Sequence, residues 1–340
     1  MPILGMVINQ IKDLPYSQCL GIILIKKNRE QNMDKKTEEN ILEVREVTKN
    51  FKDTLVLNGL SFQVRGGETF GLLGPNGAGK TTTMRMIMNI LRPDSGEIYF
   101  NGMPRPQLKG VHFGYLPEER GLYPRARVLD VLVYFGTLNN MTPRNAEVEA
   151  IRYLDRLGII EYTDARINEL SKGIQQKIQF IAAFLHDPEV LILDEPFSGL
   201  DPINQTVLLE ILEEYKAKNK ILIISTHMME QAEKICDHIC LINQAQVVID
   251  GPVDAIRKQF REDAYYLELE GDYPVLKTLE NVQILEEGKN SYKFVLKKGT
   301  LSLAELLKRV EEKARIRRFE VFEPSLHDIF IRLIQQQAEE

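Results

Sequence analysis

Gly74-Pro75-Asn76-Gly77-Ala78-Gly79-Lys80-Thr81 fits G-x-x-x-x-G-K-[ST], the pattern of a phosphate-binding loop. The flanks agree with it. Thr69-Phe70-Gly71-Leu72-Leu73 is an apolar run that reads as a buried strand. Thr82 to Leu91 reads as a Met- and Ile-rich helix that stops before Pro93. Strand, glycine loop and helix are what phosphate binding requires. Glycines let successive N–H groups curl toward an anion, and the helix N-terminus adds partial positive charge. Lys80 is then placed to reach the β- and γ-phosphates, and the Thr81 hydroxyl to ligand Mg²⁺.

Outward from the loop, Ile41 to Val47 and Val56 to Val64 alternate as strands, and Gly66-Gly67 turns the chain into the loop strand. Pro93-Asp94-Ser95-Gly96 turns into a further strand, Glu97 to Phe100. A helical stretch runs roughly from Val128 to Leu185. Two continuous apolar runs follow, Glu189 to Leu193 and Ile221 to Ile224, ending in Asp194-Glu195-Pro196 and Ser225-Thr226-His227. Apolar strands separated by helices predict a parallel sheet covered on both faces, whose ligands bind beyond the carboxyl ends of the strands. The loop, Asp194, Glu195 and His227 all lie at such ends. Asp194 is therefore expected to hold Mg²⁺ opposite Thr81, Glu195 to polarise a water as general base, and His227 to orient that water or the γ-phosphate.

Composition sets limits on the rest. The 340 residues suffice for two domains, and 44% hydrophobic with 27% charged residues is a globular balance. A net charge of −6 with no long basic run argues against nucleic acid as a partner. Three cysteines, Cys19, Cys236 and Cys240, point to a reducing compartment. Cys236, His238 and Cys240 lie close together, but without a second ligand pair they read as structural. No stretch of 18 apolar residues occurs. The run Leu20 to Ile25 is short and followed by Lys26, Lys27 and Arg29, which makes it a poor secretory signal. Residues 1–40 read as an N-terminal extension, expected to be poorly ordered, with Met33 as an alternative start; whether 1–32 are translated is a question for mass spectrometry of the native N-terminus.

Leu170-Ser171-Lys172-Gly173-Ile174-Gln175 opens a helix, with Ser171 as a good N-cap. With this segment in place, residues 41 to 254 resemble the ATP-binding subunits of ABC transporters. The resemblance rests on the loop at Gly74–Thr81, the LSGGQ-like Leu170–Gln175, the Walker B run Leu191–Glu195, the D-loop-like Ser198-Gly199-Leu200-Asp201, and the switch histidine His227. Phe51 is similar to the aromatic that stacks on adenine.

The resemblance implies an α/β fold: a P-loop NTPase cassette with a parallel RecA-like core, an antiparallel β part and a helical subdomain at about 112–186. It implies ATP contacts from Phe51 and from Gly74, Pro75, Asn76, Gly77, Ala78, Gly79, Lys80, Thr81 and Thr82. Contacts in trans would come from Ser171, Gly173 and Asp201 of a second cassette, and Mg²⁺ would be held by Thr81, Asp194 and Glu118. One cassette per chain then implies a dimer, favoured as a homodimer, driving integral-membrane permease subunits from the cytoplasmic face. Two positions depart from the family pattern. Glu118 stands where many relatives carry the Q-loop glutamine, and an ionised carboxylate cannot donate a hydrogen bond. Lys172 replaces the first glycine of LSGGQ and is expected to point to solvent.

Residues 263–340 read as a small α+β domain, β-α-β-β-α-β plus a helix, with Tyr273 to Leu279 as its first helix. The segments Gly114–Pro124 and Pro324–Phe330 are similar to those of ABC-2-type exporter ATPases, including those of sodium, drug or antibiotic efflux. A single-chain cassette protein acting on ribosomes or DNA is the second reading. It is disfavoured because such relatives carry paired cassettes or long coiled-coil or zinc insertions. An unrelated P-loop kinase or GTPase leaves Leu170–Gln175 and His227 without explanation.

Overall fold

A computed structural model of the protein describes residues 40–339 apart from 53, 120, 262–263, 271–274, 279–281 and 297–301. The expected N-terminal extension and the alternative start at Met33 lie outside the described residues, except for Asn40.

An antiparallel sheet begins the fold, with β1 (Ile41–Phe51), β2 (Thr54–Arg65), β4 (Ser95–Phe100) and β5 (Met103–Pro104) in the order β2-β1-β4-β5. Strict alternation along β1 would send Leu42, Val44 and Glu46 to one face. A register shift between Val44 and Val47, with Glu46 at φ 48°, resets the pattern so that Val47 is buried instead. The bulge thus keeps a carboxylate out of the core.

The central sheet has the order β10-β9-β3-β8-β7-β6. Its strands are β3 (Thr69–Leu73), β6 (Phe113–Leu116), β7 (Val190–Asp194), β8 (Ile221–Thr226), β9 (His238–Asn243) and β10 (Gln246–Pro252). All neighbours are parallel except β9 and β10. Every residue of β3, β7 and β8 is buried, as continuous apolar runs demand. Alternate residues serve opposite cores. Ile221 and Ile223 join Phe70 and Leu72 on the side of the antiparallel sheet, whereas Leu222 and Ile224 join the helical side. Burying each such side chain contributes about 1.5–3 kcal/mol.

The helices are α1 (Lys80–Ile87), α2 (Val128–Leu138), α3 (Pro143–Arg156), α4 (Lys172–Phe184), α5 (Pro202–Lys216), α6 (Met229–Ile235) and α7 (Val253–Gln259). The sequence places α1 at Thr82 to Leu91; it starts two residues earlier and ends sooner, where Asn89 takes a left-handed conformation at φ 59°. Thr142 caps α3 by accepting from Asn145 N at 3.2 Å, with Pro143 in the first turn. The segment numbered 112–186 is not wholly a helical layer. It opens with β6, which pairs with β7 in the central sheet because Phe113 and Leu116 have core positions to fill. Cys236 and Cys240 lie in different cores, and burial pushes the Cys236 thiol up to about 12.

The C-terminal part contains β11 (Ala264–Glu270), β12 (Val282–Glu287), β13 (Ser291–Leu296), α8 (Leu303–Glu311), β14 (Arg315–Val321) and α9 (Leu326–Glu339). Its antiparallel sheet has the order β12-β13-β11-β14, the arrangement of a split β-α-β fold. Between β11 and β12 the described residues form only a 3-10 turn, Val275–Thr278, where the sequence predicts a helix at 273–279; 273, 274 and 279 lie outside the described residues. Ser302 and Glu305 form a capping box on α8, which buries Leu306 and Val310. Leu326 and Ile329 of α9 pack with Met229, Ala232 and Cys236.

His186, two residues past α4, has its ring 6.2 Å from that of His112. Burial, helped by His112 and Lys220, pulls its pKa from 6.5 down to about 4. The folded pKa lies below the unfolded one, so the neutral form is the stable one above pH 6.5. That stabilisation is lost as pH falls through the window from 6.5 to 4, by up to about 3 kcal/mol. Urea midpoints at pH 7.5 and pH 5 are expected to differ more for the parent than for His186→Leu. Equal differences would show that this ring does not govern acid sensitivity.

Candidate functional site

The register of the central sheet builds the site. Leu73 pairs with Thr226 and Asp194 with Ser225, so the phosphate loop, the Asp194-Glu195 corner and the Thr226-His227 corner leave the sheet at the same end. Gly74 has φ 148°, and a Cβ there would meet Ile242 O at 2.2 Å; Gly79 has φ 104°, and a Cβ would meet Leu57 Cδ2 at 2.5 Å. No other residue fits either place without shifting backbone or core. Lys80 is 7% exposed, and Nζ donates to Gly74 O at 2.8 Å and Pro75 O at 3.2 Å, across the loop it serves. Burial lowers its pKa, opposed by the carboxylates of Glu195, Asp194 and Glu118.

Thr81 Oγ1 donates to Asp194 Oδ2 at 2.9 Å, and Ser225 Oγ donates to Asp194 Oδ1. Burial raises the Asp194 pKa, with Glu195 adding to it, while the two hydroxyl bonds oppose the rise. A buried carboxylate under this strain favours a cation nearby. Glu195 stands at φ 49°, a left-handed conformation that few non-glycine residues adopt. His227 N donates to its Oε1 at 2.9 Å, His227 Nδ1 lies 2.6 Å from the same oxygen, and Thr226 Oγ1 donates to Oε2 at 3.3 Å.

A cleft of about 360 Å³ runs between these corners. It is lined by Phe51 and Val56, by the loop residues Asn76, Gly77, Gly79, Lys80, Thr81 and Thr82, and by Glu118, Asp194 and Glu195. Thr81, Asp194 and Glu118 offer it only oxygen donors, the chemistry that suits a hard divalent cation such as Mg²⁺. Phe51 closes β1 and is 44% exposed. Pro75 and Ala78 shape the loop, Ala78 N donating to Pro75 O at 3.2 Å.

Ser171, Gly173 and Asp201 do not line this cleft. Ser171 caps α4 by accepting from Ile174 N, and Asp201 caps α5 by accepting from Asn204 N at 3.0 Å. A Cβ on Gly173 would lie 3.5 Å from Gly199 O, so the LSGGQ-like and D-loop-like segments adjoin each other. Lys172 is exposed.

Three supporting residues escape a motif reading. Ser225 orients Asp194, Thr226 braces Glu195, and Gln179 of α4 donates from Nε2 to Pro117 O at 3.3 Å and Glu119 O at 3.0 Å, holding the turn that carries Glu118. Ser225 and Thr226 carried a signal, as hydroxyls ending an apolar strand. Gln179 carried none, since a glutamine inside a helix says nothing about which carbonyls it meets.

A family model described as ABC transporter matches residues 57–198, and one described as ATP-binding protein DrrA1-3-like, C-terminal domain, matches 251–334. The uncharacterized ABC transporter ATP-binding protein YhaQ of Bacillus subtilis is 41% identical over 291 residues, covering 86% of this chain and 97% of the relative. The chain belongs to the ABC transporter ATP-binding proteins. It is thus an ABC-family ATPase with a DrrA1-3-like C-terminal domain. Relatives of this cassette include the Nod factor export ATP-binding protein I of Burkholderia lata, 38% identical over 63% of this chain and 72% of that protein. Among solved structures, an ATP binding subunit of an ABC transporter superposes with TM-score 0.61 at 33% identity, covering 65% of this chain and 93% of that one. The dimeric ATP-binding cassette MJ0796 shares the fold, with TM-score 0.58 at 20% identity over 62% of this chain and 98% of that one. Among the described residues, no helix of the cassette or its C-terminal domain is long and apolar enough to cross a membrane.

Proposed function

We propose that the chain is the ATPase of an exporter, working as a homodimer bound to separate permease subunits on the cytoplasmic membrane face. One observation carries the reading. Lys80, Thr81, Asp194 and Glu195 meet in a single cleft, while Ser171, Gly173 and Asp201 stay outside it. That leaves each site half built. A second copy, arranged head to tail, would bring its Ser171 and Gly173 to the γ-phosphate held by the first. The similarity to a Nod factor export protein and to a dimeric cassette bound to ADP and Pi supports export and dimerisation. A shallow hollow of about 320 Å³ on the helical side, lined by Tyr123, Ala126, Asp130, Val131 and Tyr134, offers aromatic surface and one carboxylate to a permease loop.

In this reading Phe51 stacks on adenine, and the N–H groups of 76–82 with Lys80 hold the phosphates. Thr81, Asp194 and Glu118 would hold Mg²⁺, which neutralises developing phosphate charge when bound. Glu195 takes the proton from the attacking water. His227 holds Oε1 in place and Thr226 braces Oε2, so the carboxylate has a fixed orientation. Glu118 can ligand a cation, but it cannot donate to the water as a glutamine would.

Ser171→Arg tests the shared site. The monomer should bind ATP within about threefold of the parent, while hydrolysis falls at least about tenfold, because a bulky cation would disrupt the contact between copies. Parental hydrolysis by a folded Ser171→Arg protein would remove Ser171 from the mechanism.

A further inference from the structure

The helix that follows His227 is gripped from outside by the C-terminal part of the chain. Glu233 lies on α6 one turn beyond Met229. Its Oε2 accepts from Leu326 N, the first residue of α9, at 3.1 Å, and its Oε1 lies 3.2 Å from an Arg257 guanidinium nitrogen. Arg257, on α7, donates from Nε to Pro324 O at 3.3 Å and reaches Glu323 at 3.4 Å. Two side chains thus join α6, α7 and the turn into α9. They are 21% and 26% exposed, shielded enough for the pair to hold its geometry. Beneath them Met229 and Ala232 share a core with Leu326 and Ile329. The same core contains Leu73, the residue before Gly74.

The path from this bracket to the chemistry is short and stiff. Met228 is the N-cap of α6, and its carbonyl accepts from Gln231 N and Ala232 N, each at 3.1 Å. Met228 N donates to Thr226 Oγ1 at 3.1 Å. No loop separates His227 from the helix, so a shift of α6 displaces the His227 N–H and ring that hold Glu195 Oε1.

We infer that Glu233 and Arg257 are positioning residues for hydrolysis: they tie the C-terminal domain to α6 and so set where His227 holds Glu195. The inference rests on the assignment of Glu195 and His227 to hydrolysis. It makes the C-terminal domain a regulator of turnover: a partner that moves it alters the rate of hydrolysis without touching the nucleotide.

The test uses the full chain and steady-state ATP hydrolysis, with thermal melting to show that each variant is folded at the assay temperature. Arg257→Ala is expected to lower kcat roughly 3- to 10-fold with KM for ATP within about twofold. Arg257→Lys, which keeps the charge and one donor, should recover most of the loss. In a His227→Ala background, followed by single-turnover rates, adding Arg257→Ala should change nothing further, whereas a merely structural bracket would add its effect. Should Arg257→Ala fail to fold, Glu233→Gln carries the same test, because it keeps an acceptor for Leu326 N and removes only the charge facing Arg257. Parental kcat in these folded variants, with Glu195→Gln inactive, overturns the inference alone. Normal turnover by Glu195→Gln overturns the assignment of the base, and the inference falls with it.

Discussion

Glu195→Gln is expected to lower steady-state ATP hydrolysis by about 10²- to 10⁴-fold and to let an ATP-bound dimer accumulate. The substitution is nearly isosteric. Its amide oxygen can still accept from His227 N, which lies 2.9 Å from Oε1, and Thr226 remains beside the second position. What disappears is a group able to take a proton from water. Binding steps before chemistry are left intact, so nucleotide should close the pair of cassettes and hydrolysis should fail to reopen it. Gel filtration with Mg²⁺ and ATP would show the variant at twice the monomer mass while the parent cycles. Monomer alone at saturating ATP would exclude ATP-driven pairing of the cassettes, and hydrolysis within a few-fold of the parent would remove Glu195 as base.

Lys80→Ala should fail earlier, at binding. Lys80 is 7% exposed, and its ammonium donates to Gly74 O and Pro75 O. Burial and three facing carboxylates, Glu195, Asp194 and Glu118, make this the cleft's central cation. Hydrogen bonds to a charged group are worth about 1.5–3 kcal/mol, so ATP affinity should fall roughly 10- to 100-fold and turnover with it. Titration with a fluorescent ATP analogue measures the first effect directly. Unchanged affinity would take the phosphates out of this loop. The two variants therefore separate the halves of the cycle, one binding without reacting and the other scarcely binding.

The sequence carried the parts of the site whose chemistry depends on residue type and spacing. Gly74 and Gly79 are where side chains would strike Ile242 O and Leu57, and a glycine pattern reports that requirement locally. Asp194-Glu195 and His227 were legible because continuous apolar strands must be buried, and the strand ends of a parallel sheet gather on one side. Residues that act on neighbours left weaker traces. Gln179 matters through carbonyls of Pro117 and Glu119, about sixty positions away along the chain. The bulge at Glu46 is a bargain between two strands, settled by burying Val47, and alternation alone could not locate it. The strand Phe113–Leu116 at the start of 112–186 was hidden because four residues carry little periodicity and its partner, Val190–Asp194, lies far along the chain. The bracket of Glu233 and Arg257 joins three segments, none of which announces the others.

The backbone beneath Glu195 has a further meaning. Its φ of 49° costs a side-chain-bearing residue about 1–2 kcal/mol relative to an ordinary conformation. Glycine would occupy that corner with no such penalty, and folding considered alone would prefer it. At Glu195 that local cost coincides with a buried carboxylate braced by His227 N and Thr226 Oγ1. Glu46 has nearly the same φ, 48°, and does not line the cleft, so the conformation distinguishes Glu195 only together with what its carboxylate touches.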